Sequence, residues 1–195
     1  MNLLNITIIG KGDVIVNIVA LVGSIRKESY NMQIAKIMQE RYKDKMNIKI
    51  ADIRSLPHFD QDEELDPPSV VKDFKQEILS ADGIIIVTPE YNWSISGVLK
   101  NALDWASRGK RVFMKKPVMP LGASSGMVGT LRAQTHLRQI LSAPGIQANV
   151  LSPGGNEVLI NFVQQKIEEN GQLDEDTLTF LDSVIEKFVD LVKSN

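Results

Sequence analysis

The segment Gly83–Thr88 reads GIIIVT, an apolar run with no polar alternation. A strand of that kind is buried on both faces, which places it at the centre of a parallel sheet covered by helices. The rest of the chain supplies the partners. Val16–Val22 (VNIVALV) is a second buried strand, and Asn47–Asp52 (NIKIAD) alternates apolar and polar as a strand nearer an edge. Pro117–Ala123 and Gln147–Leu151 complete a set of five.

Helical periodicity fills the gaps between these runs. Met32, Ala35, Met38 and Tyr42 share one face of a helix over Tyr30–Tyr42. Pro67-Pro68 opens a second helix carrying Val71, Phe74 and Ile78, with proline suited to the first turn. A third runs from about Gly97 to Ser107, a fourth over Thr130–Leu141, and a long amphipathic fifth over Asp174–Ser194, with Leu178, Leu181, Ile185, Phe188 and Val192 inward. Strand–helix alternation repeated this often implies right-handed crossovers. The expected fold is α/β: a flavodoxin-like three-layer sandwich with a five-stranded parallel sheet, order 2-1-3-4-5, and helices on both faces. No repeat or Gly/Ser/Pro linker divides the 195 residues, so a single domain over 1–195 is expected. Residues 1–15 are an extra N-terminal segment without an assigned role: an added edge strand, a leader, or residues upstream of the biological start. Gly10-Lys11-Gly12 begins like a dinucleotide fingerprint but precedes a strand and lacks the third glycine.

Composition removes several classes of function. With no cysteine there is no disulfide scaffold, thiol chemistry, Fe–S cluster or Cys-type zinc site. A formal charge of -2 argues against broad electrostatic binding of nucleic acid. The N-terminal stretch is apolar but has no positive n-region or cleavage site, and no run reaches the ~18 apolar residues of a spanning helix. A cytoplasmic protein without membrane insertion is expected. His58 and His136 lack metal-ligand spacing, and the acidic run Asp60–Asp66 lacks the glycine and terminal glutamate of a calcium loop. No metal site is assigned.

Open sheets of this kind bind ligands beyond the carboxyl ends of the strands, at the point where the winding direction reverses. The loops after the first, third and fourth strands therefore matter most. The first, Gly23–Asn31, gathers Ser24, Arg26, Ser29 and Asn31 immediately before a helix, a setting that favours a phosphate monoester. Alternatively, Ser29 simply caps the helix within a polar loop. The second, Pro89–Gly97, places Tyr91 and Asn92 where they either flank a planar heterocycle or pack on their own loop. Glu90 in the same loop is either a general base or an anchor on backbone N–H groups. The third, Gly122–Thr130, offers small side chains and approachable backbone. It also matches G-x-S-x-G at Gly122–Gly126, the nucleophile elbow of hydrolases. That match fails, because the required order of acid and then histidine downstream is missing and His136 sits on the immediately following helix. Trp105, beside Leu103 and Ala106, is expected in the core or at a subunit contact.

Together LVGSIRKESYN (Leu21–Asn31), PEYNWSISGVLKNALDW (Pro89–Trp105) and GASSGMVGTLRAQTHLRQIL (Gly122–Leu141) resemble the NADPH-dependent FMN reductase family, in its branch of bacterial quinone, chromate and azo-dye reductases. The likeness runs from about Val16 to Leu151. It implies FMN held non-covalently, with Ser24, Arg26, Ser29 and Asn31 around its phosphate and Tyr30 also binding the cofactor. Pro89, Glu90, Tyr91 and Asn92 would line the isoalloxazine, approached by Ser124, Ser125 and Gly126 from the third loop. It implies NADPH or NADH as donor, a quinone, azo compound, chromate or free flavin as small-molecule acceptor, and a homodimer or homotetramer. FMN carries the chemistry, so no catalytic side chain is assigned. Ser96 stands where the family commonly has proline, which implies a less rigid second loop. The competing expectation is a flavodoxin-type one-electron carrier for a protein partner. Such carriers are usually more acidic and have a Thr-rich phosphate loop in place of one with Arg26 and Lys27. A third is an interaction protein that only retains the fold, since fold alone does not fix function.

Overall fold

In the computed structural model, residues 15–195 are described. The expectations for Met1–Val14, including Gly10-Lys11-Gly12, lie outside them. The elements in chain order are β1 (Val16–Val22), α1 (Tyr30–Arg41), β2 (Met46–Ile50), α2 (Ser69–Ser80), β3 (Gly83–Val87), α3 (Gly97–Ser107), β4 (Pro117–Ala123), α4 (Leu131–Ser142), β5 (Asn149–Val150), β6 (Val158–Ile160), α5 (Val163–Lys166) and α6 (Glu175–Lys193). The strands form one parallel sheet of order β2-β1-β3-β4-β5, as expected, with β6 also paired to β4.

The period-2 geometry of the central strands sorts their side chains between two cores. Ile18, Ala20 and Val22 of β1 and Ile85 and Val87 of β3 face α1 and α6, where Ile34, Met38, Leu181 and Phe188 pack on them. Val19 and Leu21 of β1 and Ile84 and Ile86 of β3 face α2, α3 and α4, meeting Phe74, Leu103, Trp105 and Leu137. Every residue of Gly83–Val87 is buried, as the double-sided cover demands. Trp105 is a core residue: it donates its indole N–H to the Pro57 carbonyl at 2.9 Å and meets Phe59 edge to face. The winding direction reverses between β1 and β3, so the crevice falls above β1, β3 and β4.

The sheet differs from expectation at one edge. In place of a single fifth strand, β5 pairs with Pro117 and Val118 at the start of β4, and β6 pairs with Leu121–Ala123 at its end. Pro120 accounts for the split. Leu151 N–H donates to Val118 O on the β5 side, while Thr88 N–H donates to Leu121 O on the β3 side. Successive residues of β4 thus turn to opposite neighbours, and Pro120 turns to the β5/β6 side with no N–H to offer. The ladder breaks there, and residues 152–157 leave the sheet before β6 rejoins it.

Candidate functional site

The loops after β1, β3 and β4 converge on one cleft of about 340 Å³. Ser24, Arg26, Ser29, Tyr30 and Asn31 line it from the first loop, Pro89, Glu90 and Tyr91 from the second, and Ala123, Ser124 and Ser125 from the third. Ten of the twelve residues singled out from the sequence are among these. Asn92 and Gly126 lie beside the lining instead of on it, Asn92 at the tip of a tight turn.

The first loop is a field of free donors. Ser29 caps α1 by accepting from Met32 N–H at 3.2 Å, which leaves its hydroxyl hydrogen available. Among the described residues, no backbone N–H from Ser24 to Asn31 has an acceptor within the chain. The Ser24 hydroxyl likewise has no protein partner, in a residue that is only 5% exposed as a whole. The dipole of α1 adds positive potential at the same point. Arg26 spends one guanidinium nitrogen on the Glu28 carbonyl and lies 5.5 Å from the Tyr30 ring, leaving its other N–H groups free. Capping and anion binding are therefore compatible here. Asn31 does something else. Its side chain accepts from Ala123 N–H and donates to Ala123 O, both at 2.9 Å, joining the first loop to the end of β4.

The second loop is a miniature hairpin. Tyr91 and Ser94 exchange backbone hydrogen bonds of 2.9 Å, and the residues between them, Asn92 and Trp93, both have positive φ. That is the geometry of a type I′ turn, in which tryptophan carries conformational strain. Side-chain ties hold the turn to α4. Glu90 Oε2 accepts from the N–H groups of Arg132 and Ala133 at 3.0 and 3.1 Å, so its carboxylate occupies the N-terminus of α4. Arg132 also lies 4.6 Å from the centre of the Trp93 ring. Ser94 Oγ and His136 Nδ1 are 2.7 Å apart. Glu90 is thus an anchor, although the N–H groups it uses belong to α4 and not to its own loop. Ser96 caps α3 by accepting from Leu99 N–H at 3.3 Å, so the loop that was expected to be less rigid has a fastening of its own.

In the third loop, the Ser124 hydroxyl bonds to Gly126 backbone and His136 belongs to Ser94. The elbow motif has no hydrolytic triad around it. Gly122 serves packing: a Cβ there would sit 2.2 Å from Thr88 O and 2.3 Å from Thr130 Oγ1. Gly126 is open, with only Ser124 Oγ within 4 Å of a Cβ.

A flat ligand carrying a phosphate monoester fits this arrangement. The unpartnered N–H groups, the two serines and Arg26 would surround the phosphate, and Tyr91 with the serines of the third loop would flank the ring. Arg132 and the Ala123 backbone support the site without having been singled out from the sequence, and His136 was weighed there only as a metal ligand or hydrolase histidine, because each acts through a partner distant in the chain.

Comparison with known proteins agrees with this geometry. Residues 16–165 match the family described as NADPH-dependent FMN reductase. A 2-hydroxy-1,4-benzoquinone reductase from Burkholderia sp. is 39% identical over 179 residues, covering 90% of this chain and 96% of that protein. An NADH-dependent flavin reductase subunit 2 from Lactobacillus johnsonii is 40% identical over 182 residues, covering 90% and 97%. Among solved structures, FerB, a flavoenzyme NAD(P)H:(acceptor) oxidoreductase from Paracoccus denitrificans, superposes with a TM-score of 0.83 at 30% identity, covering 92% of this chain and 98% of its own.

Proposed function

The chain belongs to the NADPH-dependent FMN reductase family, and on that footing we propose that the three-loop cleft holds FMN with its phosphate in the first loop and its ring between the other two. The protein is an FMN-dependent NAD(P)H oxidoreductase that passes hydride from a nicotinamide to a small electron acceptor. Quinones are the acceptor class we propose, in line with the benzoquinone reductase among its relatives.

Bound FMN supplies the hydride-accepting and hydride-donating ring. The protein's part is position and electrostatics. Ser24, Ser29, Arg26 and the free N–H groups of the first loop bind the phosphate, with Tyr30 backing Arg26. Asn31 fixes the distance between the first and third loops, and Glu90 fixes the second loop to α4. Pro89, Tyr91, Ser124 and Ser125 would surround the ring, with Asn92 and Gly126 adjoining them in the same loops. Backbone N–H groups of the loops flanking the ring would favour negative charge on it, as oxyanion-binding donors do. No side-chain acid, base or nucleophile is assigned.

The whole chain acts as one FMN-binding domain, a reading supported, among the described residues, by one sheet with helices packed on both faces. The protein works as a homodimer or homotetramer, in the cytoplasm, where the nicotinamide donors are. Tyr91, Trp93, Met127, Val128 and Leu131, exposed apolar side chains on the second and third loops and the start of α4, support a subunit contact at the cleft mouth. Among the described residues no helix is long and apolar enough to cross a membrane.

The observation that carries the site assignment is the cluster of unpartnered donors in the first loop, opening into the same cleft as Tyr91 and Ser125. The test is the absorbance spectrum of the purified protein. Oxidised flavin absorbs near 450 nm (an approximate figure for the cofactor itself), and anaerobic NADH or NADPH should bleach it in one two-electron step. Arg26→Ala should lose FMN while folding normally. A variant that retains wild-type FMN affinity refutes the phosphate assignment. Reduction in two separate one-electron steps would favour the carrier reading.

A further inference from the structure

A second groove, of about 390 Å³, opens between the loop after β1 and the loop after β2. We propose that this groove binds the adenosine diphosphate half of the nicotinamide donor, an inference that rests on the FMN site assigned above.

The groove is continuous with the flavin cleft, since Ser24 and Arg26 line both. A donor whose nicotinamide lies over the ring therefore has a path past the phosphate loop into it. Its size falls within the ~300–1,000 Å³ usual for small-molecule sites. The floor is apolar, built from Val22, Met32, Ile50 and Ile53, with Ile25 on the rim 46% exposed. A flat purine base suits such a floor.

The walls carry the charge a diphosphate needs. Arg26, Lys27 and Arg54 all line the groove. Among the described residues the Lys27 ammonium has no ion pair or hydrogen bond. Arg54 gives one guanidinium nitrogen to the Ile25 carbonyl, which aligns it with the first loop and leaves other N–H groups to donate. One acid, Asp52, shares the lining, but its carboxylate is turned into its own loop, accepting from Arg54 N–H, Ser55 N–H and the Ser55 hydroxyl. The charges left free in the groove are thus cationic, and guanidinium and ammonium groups bind phosphate oxygens through charge-assisted hydrogen bonds.

The test uses FMN-loaded protein and two variants outside the flavin-binding set, Lys27→Ala and Arg54→Ala. Three hydride donors are compared: NADH, NADPH and reduced nicotinamide mononucleotide, which lacks the adenylate half. Each variant should lower kcat/KM for NADH and NADPH about tenfold, the effect of losing one charged hydrogen bond. Activity with the mononucleotide and FMN content should stay at wild-type values, and Arg54→Lys should recover part of the loss. Calorimetric titration with ADP should give correspondingly weaker binding in the variants. Equal losses with all three donors, unchanged values with all three, or unaltered ADP affinity would each overturn the assignment. The ADP titration reads the groove with or without flavin, so a wild-type protein that purifies without FMN counts against the flavin site alone.

Discussion

Asn31 and Ala123, 92 positions apart, form a closed pair: the side-chain amide of one satisfies both backbone groups of the other, at 2.9 Å each way. The pair is buried and ties the loop that would hold a phosphate to the strand end that would support a ring. Asn31→Ala leaves a buried N–H and C=O without partners and should cost about 2–4 kcal/mol in urea denaturation. FMN affinity should fall along with stability. Arg26→Ala, in contrast, should lower affinity alone, and the two variants together distinguish a positioning residue from a binding one.

Glu90 makes a comparable link between the second loop and α4. Removing its carboxylate in Glu90→Ala leaves two N–H groups at the start of α4 without that acceptor and frees Arg132, at an expected cost of about 1–2 kcal/mol. Glu90→Gln keeps an acceptor oxygen and should lose less. Trp93 is stacked on Arg132, so its fluorescence should shift in the alanine variant. An unchanged spectrum with full stability would contradict the anchoring role.

The two glycines of the third loop should behave oppositely. Gly122→Ala drives a methyl group into the Thr88 carbonyl, which cannot move without displacing β3, so soluble yield should collapse or the melting temperature fall steeply. Gly126→Ala meets open space and should fold like the wild type. Measuring both by thermal melts separates packing demand from ligand access.

Far from the cleft, Asp182 on α6 accepts two hydrogen bonds from Arg41, at 2.8 and 2.6 Å, and one from Tyr42 at 2.7 Å. The Arg41 hydrogen bonds, with help from Tyr42, hold its carboxyl below the ordinary value of 3.8. Its contribution is therefore complete above about pH 4 and is lost as pH falls through the lowered value. Tyr42 has the opposite sign: burial, reinforced by the bond to Asp182, raises its phenol above 10.0, so its contribution is lost only in strong alkali. Both members of the ion pair are about a third exposed, which limits the cost of Asp182→Asn to roughly 1 kcal/mol at neutral pH. The difference from wild type should narrow in acid denaturation series below pH 4.

Much of this was legible in the chain because the deciding signals are local. Apolar runs such as Gly83–Val87 and the periodicity of Leu181, Ile185 and Phe188 fix strands and helices, and the hydroxyls at Ser24 and Ser29 mark the first loop. What local chemistry leaves open is the partner of a polar side chain. An asparagine beside a phosphate loop and one that clasps a distant backbone look identical in sequence, and the same holds for Glu90, whose backbone donors lie 42 and 43 positions away. The loop after β2 carries no glycine or hydroxyl cluster to draw notice. The divided edge had a signal in Pro120, whose meaning depends on which neighbour it faces.

That proline also shapes how the molecule meets others of its kind. An outermost strand with a long row of unused donors and acceptors invites a foreign chain to zip onto it. Here the margin beyond β4 consists of a two-residue and a three-residue stretch separated by a gap, too brief for such templating to propagate. The flank of the sheet nearest the third loop is thereby guarded against fibrous self-assembly, without any charged residue being required in β4 itself.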